Sequence, residues 1–318
     1  MFNPLKLRSK HSSSIRWRKA GRRRQAIRCE NNGWLIMLHR RSFLKHVGYA
    51  AVCSCCSLNG ARAADAVPLV CTELALPDYK LALEIAIDEN LANDPAKENV
   101  TASEAISLYK KKWNPDRRIL NVSFLTEPKY LQKVITQAQG WESYIGLKFR
   151  FGNSSPDVLV AFDEGGSWSF VGTDSRYYAQ RGRPSMNFGW FDDATEEEEF
   201  RRTTLHEFGH ALSLVHEHSH PSGDISWKKQ AVYDYYAKQG WTPPDVDQQV
   251  FAKYQLSQVN GSAYDPTSIM HYPIAKELVS NQADVVGWNT KLSKLDQEVI
   301  SKLYPSNDRG LPSREVAL

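Results

Sequence analysis

Residues 206–221 read HEFGHALSLVHEHSHP. Five histidines fall in this stretch, in a chain of 318 residues that holds nine in all. His206 and His210 are four apart, so on a helix they share one face, a turn from each other. Their imidazole nitrogens then converge on one ion, and neutral imidazoles suit zinc. Glu207 stands beside such an ion and is placed to act as a general base rather than as a ligand. His216 lies six residues beyond His210, a spacing that a continued helix does not fit. The helix must end, and the chain must turn back to bring in a third ligand. Three histidines leave one position open, whereas a structural zinc site is closed by four protein ligands. His218, His220 and His271 are expected to support this cluster or to face solvent.

Working outward, Thr195 followed by Glu198 reads as a capping box, and the four acids at 196–199 suit a helix start. The helix is expected to run from there through Leu212. Upstream, RILNVSFL (118–125) alternates and is rich in strand formers. Residues 127–145 carry apolar side chains at Tyr130, Leu131, Val134, Ile135 and Trp141, a helical stripe. LKFRF (147–151), DVLVAF (157–162), GGSWSFVGT (165–173) and PSMNFGW (184–190) read as further strands, the third of them an edge strand. The expected class is α+β, with a mostly parallel, twisted sheet backed by helices. Residues 64–111 are mixed. YKLALEIAI (79–87) and TASEAISLYKKK (101–112) have helical spacing, and Thr101 with Glu104 suggests a second capping box. They form either an N-terminal segment of the fold or a removable pro-region.

A second marker lies in YDPTSIMHYP (264–273). HExxHxxxxxHE followed by SIMHY resembles the metzincin clan and, within it, the astacin-like zinc endopeptidases of bacterial type. SWSFVGTD (167–174), PSMNFGWFD (184–192) and LSKLDQEVISKLYP (292–305) are also similar to segments of that family. The resemblance covers about residues 113–305 and implies a zincin fold. Such a fold has a five-stranded twisted sheet, two long helices, a cleft above the HExxH helix and a smaller C-terminal subdomain. It implies one zinc ion held by His206, His210 and His216, with Tyr272 as a further, displaceable ligand that stabilises the oxyanion. Glu207 would activate the zinc-bound water, and Met270 would floor the site. Glu217 would be a buried structural carboxylate. An extended protein or peptide substrate would pair with the edge strand. Two other readings remain: a catalytically inactive zinc-holding binding protein, and a metal-sequestration module.

Ser213 departs from the pattern, which has glycine there. A positive φ costs serine about 1 kcal/mol, much less than metal binding supplies. The turn is therefore expected to form under strain. The disulfides of animal members are impossible, and 64–111 holds no convincing aspartate-switch motif. Cys71 is in principle able to cap the zinc of a pro-form, although a lone free cysteine is more often inert.

Charge separates the ends of the chain. Residues 1–63 hold 14 Lys/Arg against the single acid Glu30; the remainder holds 26 bases and 35 acids. The globular part is acidic, so it lacks the electrostatic footprint of a nucleic-acid binder. HRRSFLK (39–45), a short apolar run and ARA (61–63) resemble a twin-arginine signal peptide. The apolar run is too short to span a bilayer as a mature helix. The expected organisation is a start-site extension at 1–36, a signal peptide at 37–63, the N-terminal segment at 64–111, a catalytic domain at 112–305 and a tail at 306–318. Cleavage after Ala63 leaves Cys71 as the one cysteine, so no intramolecular disulfide can form. An exported monomer, periplasmic or extracellular, is expected.

Overall fold

The structure is a computed structural model that describes residues 71–98, 111–152, 154–254 and 263–306. The extension at 1–36, the twin-arginine segment, Cys29, Cys53, Cys55, Cys56, the Thr101–Glu104 capping box and all but the first residue of the tail lie outside the described residues. Among the described residues, no helix is long and apolar enough to cross a membrane.

The strand pattern builds one sheet. Strands β1 (Thr72–Leu74), β2 (Ile119–Phe124), β3 (Lys148–Phe151), β4 (Val158–Ala161), β5 (Trp168–Phe170) and β6 (Met186–Asn187) take the order β1-β5-β6-β4-β2-β3. All neighbours are parallel except β5 and β6. β4 is buried along its whole length, as a central parallel strand should be. The expected five strands are therefore present, but the sheet has six. The sixth is β1, from the segment before the catalytic domain; it pairs with β5, which was expected at the edge, so β1 is the edge strand instead.

The N-terminal segment packs onto this frame. Helix α1 (Tyr79–Glu89) is capped by Asp78, which accepts from the backbone N–H of Lys80 and Leu81, and it buries Ala82 and Ala86. Its last residue, Glu89, is ion-paired with Arg117 and Arg176, and both arginines also meet Asp157. The two guanidinium groups lie over the ring of Trp113 at 5.5 and 5.0 Å. Leu74 and Leu76 join Phe170 in a small apolar cluster beside β5.

Two helices contribute most of the main core beside the sheet. Helix α2 (Leu131–Ala138) passes at once into a tighter 3-10 turn, Gln139–Ser143, so the long helix expected over 127–145 is split. The tight turn carries Trp141, fully buried, whose Nε1–H donates to Leu205 O at 3.0 Å. A short helix, α3 (Asp174–Ala179), follows β5 and carries Arg176. Helix α4 (Glu197–Ala211) is the long one. It begins later than the capping box at Thr195 implied, because Asp192 takes that threonine instead. The Thr195 hydroxyl donates to Asp192 Oδ1 at 3.0 Å and accepts from Asp192 N at 2.9 Å, closing a local turn. The three acids Glu197, Glu198 and Glu199 still occupy the first turn.

A smaller C-terminal subdomain follows. It contains α5 (Lys229–Ala237), α6 (Pro243–Val246) and a π-helical turn, Asp247–Phe251. Its core, around Val232, Tyr236, Val246, Val250 and Ile274, is separate from the main one. Helix α7 (Lys294–Leu303) returns to the main core through Ile300.

Candidate metal centre

Helix α4 carries His206 and His210, both fully buried. The turn after it reverses the chain at Ser213, whose φ is 72°; it is the one non-glycine residue with positive φ among those described. The strain expected there is present, with a compensation that the sequence did not disclose. Ser213 Oγ donates to Lys111 O at 2.7 Å and lies 3.2 Å from the Tyr304 hydroxyl. The reversal delivers His216, and the ring nitrogens of His206, His210 and His216 lie within 4.8 Å of one another.

The hydrogen bonds orient these rings. His206 Nδ1 lies 2.8 Å from Ile269 O, and His210 Nδ1 lies 2.9 Å from Leu214 O. A carbonyl only accepts, so both Nδ1 atoms carry the proton and both Nε2 atoms present lone pairs. His206 Nε2 is buried without a partner, and His210 Nε2 and His216 Nε2 are 3.2 Å apart. In its Nδ1–H tautomer His216 turns a third lone pair to the same point, where one cation would take all three. Burial holds all three histidines below the usual imidazole range, reinforced at His206 and His216 by neighbouring histidines and opposed at His210 by the Glu73 carboxylate. The donor set thus fits zinc in ligand type, protonation and number.

Glu207 is fully buried beside the rings, and neither carboxylate oxygen has a hydrogen bond. Burial pushes it up to about 8, against the downward pull of the Cys71 thiol and the Arg202 guanidinium. An adjacent dication would favour its ionised form. Met270, 2% exposed, packs under the helix. A Cβ at Gly209 would stand 2.4 Å from the Met270 sulfur, so the glycine inside HEFGH is what admits the methionine. The Met270 loop is held by Asp296, which accepts from the Ser268 hydroxyl at 2.6 Å and from Ile269 N at 2.9 Å. Tyr272 is fully buried, its ring 4.4 Å from that of His216. Glu217 is half-buried and accepts from Asp265 N at 2.7 Å.

His218, His220 and His271 are all buried, so none faces solvent. His218 donates from Nε2 to Gln249 O at 2.8 Å and stacks on Tyr272 at 4.2 Å. His271 Nε2 meets the Tyr264 hydroxyl at 2.8 Å.

The largest departure from expectation is Cys71. The thiol is fully buried, and its Sγ lies within 4.8 Å of a ring nitrogen of His206 and a carboxylate oxygen of Glu207. The Cys71 carbonyl accepts the Tyr272 hydroxyl. Of the three histidines, the sulfur is thus placed beside His206, while the carbonyl stands in for the oxygen to which Tyr272 would donate. Glu73 adds a carboxylate that accepts from His216 N at 3.1 Å and from the Tyr254 hydroxyl. Sequence reading had no spacing rule that joins positions 71 and 73 to the histidines. The available signal was that Cys71 is the one cysteine after residue 63.

The family model described as Astacin, a peptidase family, matches residues 105–305. The chain belongs to the astacin family. Among solved structures it is similar to myroilysin, with 42% identity over 62% of this chain and 97% of that one, at a TM-score of 0.58. A second myroilysin crystal structure matches with 40% identity over 61% and 86% of the chains, at a TM-score of 0.48. High choriolytic enzyme 1, a hatching-enzyme zinc protease of the medaka fish Oryzias latipes, matches with 15% identity over 65% and 98%, at a TM-score of 0.44. A search of curated proteins finds no match. As an astacin the chain is a zinc metalloendopeptidase, a hydrolase with the α+β fold of that family.

Proposed function

We propose that the chain hydrolyses peptide bonds in proteins by Glu207-assisted attack of water, and that the described state is latent. His206, His210 and His216 would hold the zinc ion. When bound, zinc supplies Lewis acidity that polarises a peptide carbonyl and makes water more acidic. Glu207 takes the proton of the attacking water and passes it to the leaving amine. Tyr272 donates its hydroxyl to the oxygen that gains charge. No side chain forms a covalent intermediate. The observation that carries this reading is the buried Glu207 carboxylate, free of hydrogen bonds beside three imidazoles.

Latency rests on the segment that starts at Cys71. Its sulfur lies beside His206 and Glu207, within reach of a metal held there, its carbonyl occupies Tyr272, and β1 covers the edge of β5. An extended substrate would need that same edge. Residues 64–111 are accordingly a pro-region whose release opens the site. Export by the twin-arginine route to the periplasm or beyond is part of the same proposal. Retention in the cytoplasm on changing Arg40 and Arg41 to lysine would support that route, and unchanged export would oppose it.

The test compares the protein from Ala64 onward with its Glu207→Ala variant, at matched zinc content, on casein before and after limited proteolysis. Cleavage by the treated wild type alone supports the proposal. One bound zinc and no turnover in either, after the segment has gone, would favour a zinc-holding protein instead.

A further inference from the structure

β1 has two edges, and the second is also occupied. In a strand, successive residues turn their N–H and C=O groups to opposite sides. Thr72 and Leu74 turn theirs to β5: Thr72 N donates to Ser167 O at 3.0 Å, and Leu74 O accepts from Val171 N at 3.2 Å. Glu73, between them, turns away from the sheet toward the C-terminal subdomain. There the side-chain amide of Gln249 meets both of its main-chain groups. Glu73 N donates to Gln249 Oε1 at 3.3 Å, and Gln249 Nε2 donates to Glu73 O at 3.2 Å.

Gln249 is delivered by the π-helical turn Asp247–Phe251, an irregularity that is frequent at functional sites. Its carbonyl is fixed by the buried His218, which follows the third histidine of the metal cluster by two residues. Beside it lies a cavity of about 540 Å³ lined by residues 72–77, Trp241, Gln248 and Gln249. A glutamine amide that reads one N–H and one C=O makes no demand on the side chain it faces. Rotation about its last torsion exchanges donor and acceptor, so it can grip a chain running in either direction.

We infer that Gln249 is a main-chain grip for the substrate, borrowed by Glu73 in the latent state. The inference rests on the peptidase reading. A substrate residue two positions from the one over the metal would take the place of Glu73 and receive both hydrogen bonds. Such a grip binds extended chains without selecting their sequence.

The experiment uses the chain from Ala64 onward, in which Cys71 is the sole cysteine. Wild type, Gln249→Ala and Gln249→Glu are given the same limited proteolysis and zinc. They are then assayed on peptides lengthened residue by residue on either side of the scissile bond. Loss of both hydrogen bonds predicts a KM raised roughly tenfold or more, with kcat within about twofold. The rise should appear only once the peptide reaches the second position on one side. Gln249→Glu keeps an acceptor for the substrate N–H but has nothing to donate to its carbonyl, so its KM should also rise above that of wild type. In the unprocessed variants, Cys71 should react with a thiol reagent about tenfold faster than in wild type. A KM unchanged at every length, or a loss equal at every length, overturns the inference while leaving the peptidase reading intact. A treated wild type that does not cleave overturns the peptidase reading and the substrate role with it. An unchanged thiol rate overturns the grip on the latent segment.

Discussion

Helix α4 and the segment made of Cys71 and strand β1 meet at the histidine cluster, and they are held there by different means. Eleven of the fifteen residues of α4 are buried, and its Phe200, Leu205, Phe208 and Ala211 belong to the main core. It cannot leave without unfolding the domain. β1 is three residues long, each of them only partly buried. It is held by edge pairing, by Gln249, by the Glu73 carboxylate and by Cys71. Every one of these contacts can be exchanged for water, metal ligand or another extended chain. On the proposed reading, a permanent half of the centre carries the chemistry and a displaceable half suppresses it.

The contrast predicts opposite outcomes for a single change in each half. Glu207→Ala in α4 should lower turnover of the activated enzyme by about 10²–10⁴-fold, the usual contribution of a positioned acid–base group. Zinc content measured by atomic absorption should stay at one per chain. Cys71→Ala, just before β1, should do the reverse and raise the activity of the unprocessed chain by at least about tenfold, the ratio that 1.4 kcal/mol represents. If the unprocessed Cys71→Ala protein is as silent as wild type, the strand itself and not the thiol maintains latency, and the comparison must be redrawn.

The two halves also differed in how far the sequence disclosed them. The metal helix was legible because its chemistry is local: four-residue spacing sets His206 against His210 on any helix. The five strands of the catalytic domain followed from their alternation and strand-forming residues. β1 was not legible. Three residues cannot show a period, and its partners lie nearly a hundred residues or more away, as in Thr72 with Trp168 or Glu73 with Gln249. The early end of α2 and the late start of α4 were missed for a similar reason, because Trp141 and Asp192 act through tertiary or turn contacts that propensity does not record. Gln249 falls in the same class, since nothing in DQQVF marks one glutamine over the other.

A smaller effect is expected behind the site, where α1 is fastened. Glu89 shares Arg117 and Arg176 with Asp157, and its side chain is 7% exposed. Breaking a buried pair typically costs about 3–5 kcal/mol. Asp157 remains to compensate both arginines, so Glu89→Gln should destabilise the unprocessed chain by less, about 2 kcal/mol, read as a lower urea midpoint. The same substitution should quicken release of the segment on proteolysis. A midpoint equal to that of wild type would mean that α1 is anchored by its apolar contacts alone.

The smallest effect tests the junction between the halves. Ser213 stands in the metal-ligand turn, yet its hydroxyl holds the carbonyl of Lys111, the first residue described after residue 98. That carbonyl also accepts from Thr173 N at 3.1 Å, and it passes so near Gly172 that a Cβ there would meet it at 2.0 Å. Two opposing quantities of similar size meet at this serine. Positive φ costs it about 1 kcal/mol, and a hydrogen bond to a buried carbonyl returns about 1 kcal/mol. Ser213→Gly removes both, so stability should stay within about 0.5 kcal/mol of wild type. Ser213→Ala keeps the strain and loses the bond, and should cost about 1 kcal/mol. Urea unfolding of the two variants separates the quantities. If the alanine variant were as stable as wild type, the hydroxyl would contribute nothing. The serine would then be a tolerated departure rather than a tie between the zinc-ligand turn and the last residue of the N-terminal segment.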